Sequence, residues 1–217
     1  MKCTPPQATL QKILNSNNRI QGGDRVEFKD KKIGFALTGS FCTFETVIPY
    51  IKQLVEEGAN VVPIMSFNAY NLNTRFGEAQ YFIDQIEEIT SNKIISTFVD
   101  AEPIGPKGLI DILIIAPCTG NTLAKLAQGI SDTPVLLAAK SNLRNGNNVL
   151  IGISTNDGLS GNAENLGRLL NRKNYYFIPF QQDNPITKPR SLVFDSNYLI
   201  PALEKALENE QIQPILL

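Results

Sequence analysis

The chain of 217 residues has 20 basic and 21 acidic side chains, so its net charge at pH 7 is only −1. This balance offers no broad attraction to nucleic acid or to an anionic membrane, and we expect neither as a partner. Hydrophobic residues make up 42% and charged residues 19% of the chain, as in an ordinary globular protein. No apolar run is long enough to cross a bilayer, and the N-terminus lacks a signal-peptide core, so we expect a cytoplasmic location.

The chain contains no histidine. It therefore offers no Ser-His or Cys-His dyad and no imidazole ligand for a metal. The cysteines Cys3, Cys42 and Cys118 are widely spaced and predict neither a metal site nor a disulfide framework. Any proton transfer within the chain has to use a carboxylate, lysine, tyrosine, cysteine, water, substrate or cofactor.

Residues 1–30 are polar and contain Pro5-Pro6 and Gly22-Gly23. They predict an N-terminal arm, which is either extended against a neighbour or disordered. No repeat or further boundary follows, so residues 31–217 are predicted to form one domain.

Apolar runs and helical periodicity alternate along residues 31–217. The predicted strands are Lys31–Leu37, Asn60–Ser66, Asp111–Ala116, Thr133–Ala139, Asn148–Ser154 and Tyr175–Phe180, with a short β-like segment at Lys93–Val99. The predicted helices are Phe41–Glu57, Gly77–Thr90, one beginning near Thr122, Ser141–Asn145, Asn162–Leu170 and Asp195–Glu210, with a polar loop at Gln181–Arg190. This alternation predicts an α/β fold: a three-layer, Rossmann-like or flavodoxin-like sandwich with a mainly parallel sheet.

Small polar residues follow three of the predicted strands. Gly39 and Ser40 follow the first, Ser66 ends the second, and Thr119 follows the strand that ends at Ala116. In open parallel sheets, ligands bind beyond the carboxyl ends of the strands, and a helix N-terminus there favours an anion. The alternative interpretation of each turn is a plain helix N-cap.

The sequence has neither the glycine-rich dinucleotide fingerprint nor a Walker phosphate loop. A mononucleotide with a single phosphate suits the predicted turns better, and FMN is the natural candidate.

Specific motifs carry a resemblance to a known family. Thr38-Gly39-Ser40 and the run from Ala116 to Lys125 resemble the flavoprotein family of homo-oligomeric FMN-containing cysteine decarboxylases and flavin prenyltransferases. Within that family, the chain is most similar to the branch of dipicolinate synthase B subunits. The segments that carry this similarity include Gly34–Ser40, Phe67-Asn68, Asn73–Glu78, Ala101–Pro103, Gly152–Asp157, Ile178–Phe180 and Gln213–Leu216.

The resemblance implies which residues hold the FMN phosphate and ribityl chain. They are Gly39, Ser40, Ser66, Asn68, Thr119, Gly120, Asn121 and Thr122, and the adjoining Phe41 and Cys118 complete the predicted cofactor set. For Cys118, the alternatives are a thiol whose pKa is lowered by the helix N-terminus and an inert buried thiol. No residue is assigned a catalytic role.

The resemblance also implies a reaction. The branch acts with a dipicolinate synthase A subunit, expected to bind NAD(P), and oxidises a dihydrodipicolinate-type intermediate of lysine synthesis to dipicolinate in sporulating bacteria. The decarboxylase branch uses a histidine, which is absent here, and a Pro-x-Met-Asn segment, at whose expected place Ala138–Asn142 stands. Both differences argue against cysteine decarboxylation. The alternatives are another FMN enzyme of the family, such as a prenyltransferase, and a non-catalytic flavin-binding scaffold.

A dicarboxylate substrate needs cationic partners. The candidates are Arg75, Lys140, Lys188 and Arg190, of which Arg75 is preferred because a guanidinium can bind a carboxylate through two hydrogen bonds. Asn156 and Asp157 are candidates to close over the ligand. The alternative interpretation is that these cations are solvated surface charges and that Asn156 and Asp157 form a simple turn.

Overall fold

The computed structural model describes residues 28–217, so the predicted arm lies outside the described residues except for its last positions. The strands are β1 (Lys32–Leu37), β2 (Asn60–Met65), β3 (Ile112–Cys118), β4 (Asn148–Thr155), β5 (Tyr175–Phe177), β6 (Phe180–Asn184) and β7 (Lys188–Phe194). The α-helices are α1 (Phe44–Glu56), α2 (Phe67–Asn71), α3 (Ala79–Thr90), α4 (Phe98–Ala101), α5 (Gly120–Gln128), α6 (Pro134–Arg144), α7 (Ala163–Leu170) and α8 (Leu199–Leu207). Short 3₁₀ helices cover Phe41–Thr43, Glu102–Ile104 and Ser196–Tyr198.

The strands form one mainly parallel sheet that is flanked by helices. The order along the sheet is β2-β1-β3-β4, with all neighbours parallel. The first half of β4 pairs in parallel with β5, and its end pairs with the antiparallel hairpin of β6 and β7. This architecture confirms the predicted three-layer α/β sandwich.

The core lies on both faces of the central strands. Every residue of β3 is buried, as is the apolar body of β1 and β4, which explains their almost unbroken aliphatic sequences. Amphipathic helices cover these faces; α1, for example, buries Val47, Ile51 and Leu54 on one side. Among the helices that the structure describes, none has the length and apolar character to cross a membrane.

The predicted strand Thr133–Ala139 is wrong, because these residues begin helix α6. The Thr133 side chain accepts a hydrogen bond from the Leu136 N–H, and Pro134 occupies the first turn. A hydroxyl cap followed by proline is a helix start, whereas a short apolar run by itself does not distinguish a strand from a buried helix. Ala138–Asn142 therefore lies inside a helix and not at a strand end; the next strand end is that of β4, at Thr155.

The predicted loop Gln181–Arg190 is also wrong, because most of it forms the hairpin of β6 and β7. Its residues are exposed, so no alternation of apolar and polar residues marks it as a hairpin. The segment Lys93–Val99 contributes only the isolated bridge of Ile95 with Ile64, and helix α4 begins within it at Phe98. The C-terminal tail pairs with Phe180 through the backbone of Ile215 and Leu217.

Candidate functional site

A polar cavity of about 320 Å³ lies beyond the carboxyl ends of β1, β2 and β3. The chain runs from β1 outward to β2 and then returns to β3 on the other side of β1, so the cavity lies at the point where the strand order reverses. Its lining residues come from four segments of the chain: Gly39, Ser66, Phe67, Asn68, Thr119, Asn121, Thr122, Lys125, Thr133 and Leu136.

The turn after β1 and the turn after β3 are hydrogen-bonded to each other. The buried Thr38 hydroxyl donates to the Pro117 carbonyl over 2.8 Å and accepts from the Thr119 N–H over 3.0 Å. Gly39 and Thr119 consequently face the same cavity. The two turns therefore converge on one place.

Helices α5 and α6 both begin at this cavity. Each has a threonine N-cap, Thr119 and Thr133, whose hydroxyl accepts from the backbone N–H three residues later. In α5, the Thr119 cap leaves the backbone N–H groups of Gly120 and Asn121 without a partner among residues 28–217. Since the N-terminal end of a helix carries a partial positive charge, two such ends favour an anion in the cavity.

Lys125 adds a full positive charge to the lining. It lies one turn after Asn121 on the same face of α5, with 26% of its side chain exposed. Its Nζ forms an ion pair with Asp132 over 2.7 Å, which fixes the ammonium group at the cavity wall. Lys125 is the one ionisable residue among those that line the cavity within the described part of the chain.

Six of the ten predicted cofactor residues line the cavity: Gly39, Ser66, Asn68, Thr119, Asn121 and Thr122. Ser40 and Phe41 are beside it. The Ser40 hydroxyl is hydrogen-bonded to the Ser154 hydroxyl at the end of β4, over 2.8 Å. The Phe41 ring packs against Phe44, with the ring centroids 5.5 Å apart.

Cys118 and Gly120 are held in the protein interior. Cys118 is completely buried at the end of β3, and this burial raises the pKa of its thiol, so the sulfur is protonated. Gly120 lies against the turn that follows β4. A Cβ atom at this position would be 2.7 Å from the Asp157 carboxylate and 2.6 Å from the Asn162 amide.

Asp157 is the centre of the turn between β4 and α7. Its carboxylate accepts hydrogen bonds from the Thr155 hydroxyl over 2.5 Å and from the Asn162 amide over 2.8 Å. The hydrogen bond from Thr155 is the main cause that lowers the pKa of the Asp157 carboxyl, and the bond from Asn162 lowers it further. The charged carboxylate therefore stabilises this turn behind the first residue of α5.

The predicted substrate residues are dispersed. Arg75 is exposed in the loop after α2, with its guanidinium 4.8 Å from the Phe76 ring centroid, and Asn156 is exposed after β4. Lys140 lies on α6 and lines a second cavity. Lys188 and Arg190 belong to β7, where Lys188 forms an ion pair with Asp183 over 2.6 Å. Their roles in substrate binding stay predictions.

The sequence model of the family described as Flavoprotein matches residues 24–184, about three quarters of the chain. The chain belongs to the flavoprotein family. It is a homologue of the dipicolinate synthase B subunit, since it is 51% identical to that protein of Bacillus subtilis (strain 168) over 188 residues, which are 87% of this chain and 94% of the relative.

Two solved structures share the fold of this chain. The crystal structure of the dipicolinate synthase B subunit from Bacillus halodurans C is similar with a TM-score of 0.82 and 47% identity, over 88% of this chain and 98% of that one. The FMN complex of Burkholderia xenovorans DmrB shares the fold, with a TM-score of 0.62 and 19% identity over 82% of this chain and 96% of that one.

Four lining residues of this flavoprotein are absent from the set predicted from sequence: Phe67, Lys125, Thr133 and Leu136. Lys125 could have been predicted as a lining residue from sequence, because it is one helical turn from Asn121 and so lies on the same face of the helix. The pair Thr133-Pro134 indicates the start of a helix, which would have placed Thr133 and Leu136 at a helix N-terminus. The apolar residues that follow suggest a strand instead and obscure this indication. Phe67 follows Ser66 directly, and nothing in the sequence indicates which way its ring points.

Proposed function

We propose that the cavity of this flavoprotein binds FMN by its phosphate, and that the chain acts as the B subunit of a dipicolinate synthase. One observation carries the first part: the N-termini of α5 and α6 and the ammonium group of Lys125 meet at one cavity. Helix N-termini with free N–H groups and hydroxyl caps are a general device for binding phosphate.

The donors in the cavity fit a phosphate monoester. Thr119 and Thr122 offer hydroxyls, Asn121 offers an amide, and Lys125 offers an ammonium group, while no carboxylate lines the cavity among the described residues. Gly39 has no side chain and lines the cavity, so a ligand can approach its backbone there. Phe67 supplies an exposed apolar wall for a ribityl chain or a ring.

The proposed reaction converts a dihydropyridine dicarboxylate into an aromatic pyridine dicarboxylate, with loss of two electrons and two protons. Bound FMN would supply an acceptor for the two electrons. The residues of the chain bind and orient: Thr119, Asn121 and Lys125 would hold the phosphate, and the ion pair with Asp132 holds the Lys125 ammonium group in place.

The 51% identity to a protein named as the B subunit of dipicolinate synthase supports the second part of the proposal. The partner would be the dipicolinate synthase A subunit with an NAD(P) cofactor, in the cytoplasm of the mother cell of a spore former, and this chain would associate with copies of itself. Since Lys125 is the one ionisable group that lines the cavity within the described residues, the A subunit is expected to supply the remaining acid–base groups.

A second candidate is a subunit that holds flavin without taking part in the oxidation. The same scarcity of acid–base groups in the cavity lining favours it. The two candidates differ in whether flavin is required for turnover, which is directly measurable.

The test is a reconstitution of the two purified dipicolinate synthase subunits with NAD(P) and the dihydrodipicolinate-type intermediate. Dipicolinate is followed by its ultraviolet absorbance, with this chain free of flavin and with FMN added back. We expect formation to require both subunits and FMN. Equal rates with and without FMN would favour the scaffold candidate. If this chain stays colourless after incubation with FMN and elutes apart from the A subunit, the proposal is contradicted entirely.

A further inference from the structure

A second cavity, the α5–α6 groove, lies between the C-terminal end of α5, helix α6 and the start of β5. It encloses about 530 Å³. Its floor is apolar, formed by Leu126, Ile130, Leu136 and Leu143, and its rim carries the cations Lys140, Arg172 and Lys173. No carboxylate lines the groove among the described residues.

The charges at this rim are uncompensated. None of the three cations forms an ion pair within residues 28–217. Lys140 has only a 3.4 Å contact between its Nζ and the Ser131 hydroxyl. On a chain whose net charge is −1, this groove is therefore a local positive patch above an apolar floor.

Arg172 is held in a fixed position at the rim. Its guanidinium donates to the carbonyl groups of Leu126 and Ala127, over 3.2 and 2.8 Å, at the end of α5. A guanidinium has five N–H groups, so donors stay available for a ligand. The half-buried phenol of Tyr175 lies beside it as a further donor.

The groove is separate from the candidate flavin cavity. The flavin cavity lies at the N-terminal end of α5, whereas the groove includes Gly129 and Ile130 just after the C-terminal end of this helix. The two linings share only Leu136 of α6.

We propose that the α5–α6 groove binds a small planar aromatic dicarboxylate. This is the chemical class of the product in the proposed function, and the identity of the ligand rests on that proposed function. The cations of the lining come from two separate elements, Lys140 from α6 and Arg172 with Lys173 from the segment before β5, so a ligand with two carboxylates can pair with both. The aromatic ring lies on the leucine and isoleucine floor. A product site outside the flavin cavity lets the subunit respond to dipicolinate without competition for FMN.

The test is calorimetric titration of the full chain with dipicolinate in buffer free of divalent cations. We expect Lys140→Ala/Lys173→Ala to weaken binding about tenfold or more, since charge-assisted bonds are lost. The matched control is Lys31→Ala/Lys107→Ala, two exposed lysines outside the groove, with unchanged affinity. Picolinate, with one carboxylate, and succinate, without a ring, should both bind more weakly than dipicolinate.

Equal affinity of the unaltered chain and the Lys140→Ala/Lys173→Ala variant would overturn the inference. So would loss of dipicolinate binding in Thr119→Val, because the ligand would then occupy the flavin cavity. If the groove variant binds dipicolinate normally but no longer associates with the A subunit, the groove is a protein interface instead. The proposed function fails separately, through a reconstitution that forms no dipicolinate.

Discussion

At the scale of single residues, Gly120 shows how tightly the start of α5 is packed. The Thr155 hydroxyl, the Asp157 carboxylate and the Asn162 amide all approach the place where a Cβ would lie. We expect Gly120→Ala to reduce the free energy of unfolding by about 1–3 kcal/mol, because the turn after β4 has to move. Urea unfolding followed by circular dichroism measures this change.

The matched control is Gly167→Ala in α7, where no atom lies within 4 Å of the added Cβ. Alanine is the better helix former there, so stability should rise by up to about 1 kcal/mol. If both substitutions changed stability alike, close packing at Gly120 would be the wrong explanation.

Residue types at the strand ends predicted most of the candidate site, because parallel strands bring their carboxyl ends to one edge of the sheet. The direction of individual side chains was not predictable in this way. Ser40 has the same residue type as Ser66, yet its hydroxyl bonds to Ser154, on a strand that is distant in sequence. Only the three-dimensional neighbourhood decides between a ligand and another side chain as partner.

At the scale of elements, the sequence predicted the central strands because each is buried on both faces and consists of aliphatic residues. The prediction from sequence failed where the hydrophobicity of a segment does not indicate its type of secondary structure. The run Pro134–Ala139 is apolar because α6 packs into the core, and the hairpin of β6 and β7 is polar because it is exposed. Hydrophobicity reports burial in both cases, and burial alone does not identify the element.

The turn between β4 and α7 should make stability depend on pH. Hydrogen bonds from Thr155 and Asn162 hold the pKa of Asp157 below its ordinary value, so the carboxylate contributes stability above the pKa of the unfolded chain, near 4. This contribution is lost as the pH falls through the lowered pKa of the folded state. We therefore expect Asp157→Asn to be less stable than the unaltered chain at pH 6, with a difference that shrinks toward pH 3.

Urea unfolding across this pH range tests the Asp157 prediction. Thr155→Val serves as the comparison, because it keeps the carboxylate but removes one donor, and it should move the acid loss of stability to higher pH. A constant difference between Asp157→Asn and the unaltered chain from pH 6 to pH 3 would show that the carboxylate charge plays no part.

At the scale of the whole molecule, helix α5 connects the two proposed sites. Its N-terminal end faces the polar cavity, and its C-terminal carbonyl groups accept hydrogen bonds from Arg172 at the groove. The helix dipole thus favours an anion at the first end and cations at the second. In the proposed scheme, those cations in turn bind the carboxylates of the product.

Binding of FMN should stabilise the whole fold, because a ligand that binds only the native state shifts the unfolding equilibrium. At 100 times its dissociation constant, FMN adds about 2.7 kcal/mol to the free energy of unfolding, which raises the melting temperature of a domain of this size by about 5–10 °C.

Riboflavin lacks the phosphate and should raise the melting temperature less than FMN at the same concentration. Thr119→Val and Lys125→Met should abolish most of the difference between the two flavins, whereas the exposed Lys107→Met should preserve it. Thermal unfolding measures all of these shifts. Equal shifts by FMN and riboflavin in the unaltered chain would contradict a phosphate at the start of α5, because Thr119, Asn121 and Lys125 are proposed to act on that group, which riboflavin lacks.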